Sequence, residues 1–207
     1  MVDTIGDIAV AVNRMAQDLQ LPSIETEAIA GFIGKGTEHL VRSVLAHVGA
    51  RAGLYTDAYR SYLRHYGQIN GEFSQAYPGV AEGLRALRSA GLRLACITNK
   101  PTALARALLE AKGLAGFFDA VFGGDAFERK KPDPLPLLKA CDVLGTRAAQ
   151  TLAIGDSSND AQAARAAGCP VVLVTYGYNH GQPVRSVPAD GYVDSLVEVP
   201  RWLAAHL

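Results

Sequence analysis

The stretch "TLAIGDSSND" at 151–160 sets two aspartates, Asp156 and Asp160, four residues apart, just past an apolar run that breaks at Gly155. Paired carboxylates there can hold a hard divalent cation such as Mg²⁺ through oxygen. Two other polar features occupy matching places: Thr98 and Asn99 follow "LACI", and Lys131 lies in the loop "DAFERKKPDP". A hydroxyl and nearby backbone N–H groups can hold phosphoryl oxygens, and a lysine can offset charge on a transferring group. Together these residues suit a phosphate with a divalent cation.

Each residue also has a plainer role. Thr98 can cap a helix, Lys131 can be solvated like its neighbour Lys130, and Asp156 and Asp160 can cap a helix beginning near Ser158. The chemical assignment therefore depends on the elements that carry them. Ligands of open parallel sheets bind at the carboxyl ends of strands, so the strands must bring all of these side chains to one rim.

The front of the chain is helical. Ile5, Ile8, Val12, Met15 and Leu19 recur at three- and four-residue steps, with Pro22 as the expected stop. Leu40, Val41, Val44, Leu45 and Val48 form a second stripe; Tyr55, Tyr59, Tyr62, Leu63 and Tyr66 form a third, read as packing. Between the first two lies "GFIGKG" at 31–36, a glycine-punctuated break, and no strand signal precedes about residue 90. From Tyr77 short apolar strands ("LRLACIT", "DAVFGG", "TLAIGD", "PVVLVTYG") alternate with helices of about ten residues that close on Gly91, Gly113, Gly145 and Gly168. That alternation predicts crossover units and a parallel sheet. The expected organisation is an all-helical segment over 1–75 and an α/β domain with a Rossmann-like parallel sheet over 76–207.

Composition narrows the partners. Acidic and basic side chains balance at 20 each, with no basic stripe, which argues against nucleic acid or an anionic membrane as partner. No apolar run reaches spanning length, and no secretory leader pattern is visible. Cys96, Cys141 and Cys169 are widely spaced among apolar neighbours, which predicts reduced, buried thiols and a cytoplasmic protein. His39, His47, His65, His180 and His206 show no ligand spacing. Oligomeric state leaves no mark in the sequence.

The ordered set resembles the haloacid dehalogenase superfamily, most closely its phosphoglycolate phosphatase branch. "ITNK" (97–100) is similar to the second motif, with Thr98 as the phosphate-binding hydroxyl and Asn99 beside it; "KKPDP" is similar to the third, with Lys131. "GDSSND" is similar to the fourth and implies Asp156 as a metal ligand, with Asp160 as a second carboxylate, direct or through water. The helical front resembles the superfamily's cap, and "GFIGKG" its substrate-facing loop, which implies substrate contact at Gly34 and Lys35. "TYGYNHG" (175–181) is similar to the segment after the fourth motif, with His180 read as a loop residue. The resemblance implies a Mg²⁺-dependent phosphatase acting on a small phosphorylated metabolite, 2-phosphoglycolate favoured, through an aspartyl-phosphate.

One motif is missing. Phosphatases of this superfamily begin with a strand ending in Asp-x-Asp-Gly-Thr, which carries the nucleophile and the general acid, whereas this sequence opens "MVDTIGDIAV". "VDT" resembles the residues just after that motif, so the chain is expected to be a truncated reading of a complete enzyme and weakly active or inactive as it stands. Neither Asp3 nor Asp7 follows a strand that could aim it. Without the missing central strand, the strands ending in Thr98 and Asp156 must close up, leave a gap or present unpaired edges. Two other readings stand beside this one: a non-catalytic phosphate-binding relative, and a sugar-phosphate mutase of the same superfamily. Lys35 is also a conceivable Schiff-base lysine of the phosphonate-hydrolase type, or simply an exposed turn residue.

Overall fold

Apolar side chains at helical spacing give α1 (Ile5–Asp18) one apolar face, which the structure buries. The computed structural model describes residues 1–206. Ile8, Val12 and Met15 of α1 pack with Ile29 of α2 (Thr26–Ala30), Val41 and Val44 of α3 (Thr37–His47), and Tyr62 and Tyr66 of α4 (Tyr55–Ile69). Pro22 does not end α1. The helix stops at Asp18, where Gln20 adopts a φ of 56° and the Leu21 N–H donates to the Ala16 carbonyl at 2.8 Å.

One expectation about the front needs correction. A two-residue ribbon, β1 (Val2–Asp3) antiparallel to β2 (Gln75–Ala76), ties the two ends of the helical segment together. Strands this short leave no alternation to detect.

After β2, helices and strands alternate through α5 (Val80–Ser89), β3 (Ala95–Ile97), α6 (Thr102–Ala111), β4 (Ala120–Phe122), α7 (Leu135–Leu144) and β5 (Ala153–Gly155). They continue through α8 (Ser158–Ala167), β6 (Val171–Val174), β7 (Gly191–Val193) and α9 (Val199–His206). β3 pairs with β4, β5 with β6 and β6 with β7, all parallel. Strand β6 explains the layering. Val172 and Val174 pack with Val80, Leu84 and Leu109 on one face, while Val171 and Leu173 pack with Leu137 and Ala164 on the other. A strand buried on both faces reads as a continuous apolar run, and its period of two assigns helices to opposite sides.

The parallel strands form two separate sheets, β3–β4 and β5–β6–β7. A cavity of about 260 Å³ lies between them, lined by Cys96 and Ile97 of β3, Ile154 and Gly155 of β5, and Met1 and Val2. Ile154, a strand residue, is consequently 38% exposed. Of the three arrangements expected for these strands, the gap is observed, and β3 and β5 each keep one unpaired edge. Cys96, Cys141 and Cys169 are buried and free of disulfides. Among the described residues no helix is long and apolar enough to cross a membrane.

Candidate active site

The ends of β3 and β5 deliver the first two side chains. Past β3, the Thr98 N–H donates to the Phe122 carbonyl at the end of β4 (2.9 Å), and its hydroxyl oxygen accepts from the Lys100 N–H at 3.2 Å. Past β5 comes Asp156, and the first turn of α8 presents Asp160. The loop after β4 brings in Lys131, whose ammonium donates to the Ile97 carbonyl (2.8 Å) and the Asp160 carboxylate (2.6 Å). Thr98, Asn99, Lys131, Asp156, Asp160 and Gly34 all line one cavity of about 190 Å³ beneath the helical layer. It shares Thr98, Lys131, Asp156 and Asp160 with the cavity between the sheets.

The two carboxylates are not equivalent. Burial opposes the charge on Asp160, but the Lys131 ammonium, its hydrogen bond and the Ser157 hydroxyl (2.6 Å) prevail and hold its pKa at about 2. Lys131 is the mirror case: burial opposes its charge, and Asp160 outweighs burial and raises its pKa. Among the described residues Asp156 has no cation within 4 Å; it accepts the Tyr178 N–H at 3.2 Å, and the Met1 ammonium acts on it from farther away. Burial first, and the Asp160 charge second, push its pKa up to about 6.

The capping roles considered for the aspartates fall partly elsewhere. Ser157 occupies the cap of α8 and the Asn179 side chain accepts from the Ser158 N–H at 2.9 Å. Asp160 accepts from the Asp156 N–H at 3.2 Å as well as from Ser157, so it braces its own turn while it pairs with Lys131. Gly155 lets it do so. A Cβ on residue 155 would lie 2.2 Å from the Asp160 Cβ. Gly155→Ala is expected to push Asp160 off Lys131 and to destabilise the chain by about 1–3 kcal/mol; an unchanged thermal melt would contradict this.

Three core side chains grip the loop 31–36. Asn99 Nδ2 and Asn159 Nδ2 donate to the Gly34 carbonyl (3.3 and 3.2 Å), and His180 Nδ1 donates to the Ile33 carbonyl at 3.0 Å. Asn99 Nδ2 also donates to the Lys131 carbonyl at 2.9 Å, so this residue fastens two loops together. Gly34 is required where it stands: its φ is 117°, and a Cβ would meet His180 Cε1 at 2.6 Å. Lys35 is different. Its side chain is exposed and outside the cavity lining, as an ordinary turn residue would be.

Sequence reasoning missed Ser157, Asn159, Tyr178 and Asn179 as individuals, although all four lie within the quoted "GDSSND" and "TYGYNHG". Asp3 and Asp7 line neither cavity. Asp7 is fully buried in α1, and its carboxylate accepts from the Gly71 and Phe73 N–H groups, both at 2.7 Å, and from the Ser74 hydroxyl. Asp3 accepts from the Ile5 N–H at 3.1 Å and from the Tyr178 hydroxyl.

The haloacid dehalogenase-like hydrolase family matches residues 1–174, and the chain belongs to that family. Its relatives include a phosphoglycolate phosphatase of Thiobacillus denitrificans, 44% identical over 96% of this chain and 88% of that protein. A plasmid-borne phosphoglycolate phosphatase of Cupriavidus necator is 46% identical over 98% of this chain and 88% of its own length. Among solved structures, a predicted phosphoglycolate phosphatase from Haemophilus somnus superposes with a TM-score of 0.91 at 31% identity, covering 98% of this chain and 93% of that one. The fold is the α/β fold of that family, and by these relatives the chain is phosphatase-like.

Proposed function

We propose that the chain is built to bind a small phosphate monoester, 2-phosphoglycolate in the first place, and to serve its Mg²⁺-dependent hydrolysis in the cytoplasm. The observation that carries this is the convergence of Thr98, Lys131, Asp156 and Asp160 on one cavity wall at strand ends. The relatives named phosphoglycolate phosphatase support the substrate class, and the reduced, buried thiols suit the compartment. The helical layer over 1–75 serves as the cap and 76–207 as the catalytic core.

The carboxylates fit Mg²⁺. Asp156 is a half-buried anion only partly offset by the Met1 ammonium and the Tyr178 N–H, and the donors are oxygens. Among the described residues no cluster of three or more His, Cys, Asp or Glu side chains is assembled, so only a pair of carboxylates is offered. Mg²⁺ typically takes one or two carboxylates and leaves its other positions to water and phosphate. Asp156 would hold the ion, with Asp160 beside it. When bound, the ion supplies Lewis-acid neutralisation of phosphoryl oxygens. Thr98 donates its hydroxyl proton to a phosphoryl oxygen, and Lys131 offsets the charge spread over the transferring group. Asp160 holds the Lys131 ammonium in place through their 2.6 Å contact. The cap carbonyls gripped by Asn99, Asn159 and His180 keep the helical layer over the site and exclude water.

The 207 residues contain no Asp-x-Asp-Gly-Thr, so the chain alone turns over weakly or not at all. The test is phosphate release from 2-phosphoglycolate with Mg²⁺, for the chain alone and for the chain extended by an apolar strand ending in that motif. The extended form is expected to reach about 1 s⁻¹ or more, an ordinary enzymatic rate, and the chain alone about a thousandfold less. Turnover of about 1 s⁻¹ by the chain alone, or none by the extended form, would refute this.

A further inference from the structure

Lys100 ends the "ITNK" segment, yet neither the phosphate nor the cation site uses it. Its side chain lies on the wall common to both cavities, on the side of the helical layer. The ammonium donates a hydrogen bond to the Tyr66 hydroxyl and sits 4.2 Å above the Tyr66 ring centroid. Among the described residues no carboxylate lies within 4 Å of it. The anion whose charge reaches it most is Asp7, and those oxygens are already taken by Gly71, Phe73 and Ser74.

A cation buried against a neutral phenol is poorly compensated, and burial lowers the Lys100 pKa to about 8. The same cavity is lined on the side of the helical layer by Ile8, Leu40 and Tyr62. Such a group is retained at low cost only where an anion arrives to pair with it. Lys100 follows Thr98 by two residues, and both line the same cavity. A ligand that engages both carries an anionic group at each end, and a cavity of about 190 Å³ admits only a small one.

We propose that Lys100 is the specificity-determining residue of this site, pairing with the carboxylate of a small phosphorylated acid whose phosphate lies at Thr98 and Lys131. Tyr66 holds the ammonium in the ligand-free state and yields it to the carboxylate. The proposal rests on the phosphate-binding role given above and adds the group that reads the far end of the substrate.

Calorimetric titration of the chain with 2-phosphoglycolate and with ethyl phosphate, in the presence of Mg²⁺, tests it without requiring turnover. Ethyl phosphate replaces the carboxylate by a methyl group and keeps the phosphate. The wild type is expected to bind 2-phosphoglycolate about tenfold or more tightly than ethyl phosphate, the worth of a hydrogen bond between charged groups. Lys100→Met is expected to remove that preference and change ethyl phosphate binding by less than about threefold. Lys100→Arg keeps the charge and is expected to restore a preference of at least about threefold, which a purely structural role for the lysine would not produce. A preference retained in Lys100→Met, or absent in the wild type while ethyl phosphate binds, overturns the role of Lys100 alone. If neither ester binds the wild type, the phosphate site itself fails, and this proposal fails with it.

Discussion

Replacing Lys131 with methionine is expected to destabilise the chain by about 3–5 kcal/mol at neutral pH, because it strands the buried Asp160 carboxylate without its cation. The pair is close, 2.6 Å, and both side chains are largely shielded, at 14% and 12% exposure. A urea transition would show the loss as a lower midpoint. Adding Asp160→Asn to the same variant should recover much of it, since the amide carries no charge to be left unpaired. The pH dependence has a definite sign. Asp160 is held at about 2, below its ordinary 3.8, so its contribution is present above pH 3.8 and vanishes as pH falls through about 2. The gap between wild type and Lys131→Met should therefore narrow across that window. A midpoint unchanged by Lys131→Met at pH 7 would refute the pairing.

Asp156→Asn should do the opposite and stabilise the metal-free chain above pH 6. The Asp156 pKa is raised to about 6, so its contribution is present below pH 3.8 and lost as pH rises through about 6. At pH 8 the ionised carboxylate is a burden on the order of 2–3 kcal/mol. Removing the charge should raise the melting temperature by about 5 °C or more at that pH and change it little at pH 4. Mg²⁺ should raise the melting temperature of the wild type and leave the variant nearly unmoved. A variant that melts lower than wild type at pH 8, or responds equally to Mg²⁺, would remove Asp156 from the cation site.

Much of this architecture could be read in the sequence because it repeats with a period. The stripe of Ile8, Val12 and Met15 identifies α1, the apolar run Val171–Val174 identifies a strand, and Gly145 and Gly168, where the sequence ends two helices, take positive φ. What was missed lacks such a period. The Val2–Asp3 and Gln75–Ala76 ribbon is too short to alternate, and β7 (Gly191–Val193) is a three-residue strand at one edge. At the site, Thr98, Lys131, Asp156 and Asp160 were legible because each follows an apolar strand or sits in a fixed loop. Lys35, expected at the substrate or as an exposed turn residue, is exposed and outside the cavity lining; a lysine between glycines carries the same letters whether it faces a ligand or solvent. The grip of Asn159 and His180 on the 31–36 loop joins residues more than a hundred positions apart, which no local pattern encodes.

That grip has an evolutionary consequence. Asn99, Asn159 and His180 hold main-chain carbonyls of residues 33 and 34 and touch no functional group peculiar to either side chain. Every amino acid at position 33 offers the same oxygen. Mutation can therefore alter the chemistry that the loop displays without weakening its attachment. Selection for new side-chain chemistry and maintenance of the loop's resting position are thereby uncoupled, with the backbone freedom of Gly34 and Gly36 as the fixed requirement.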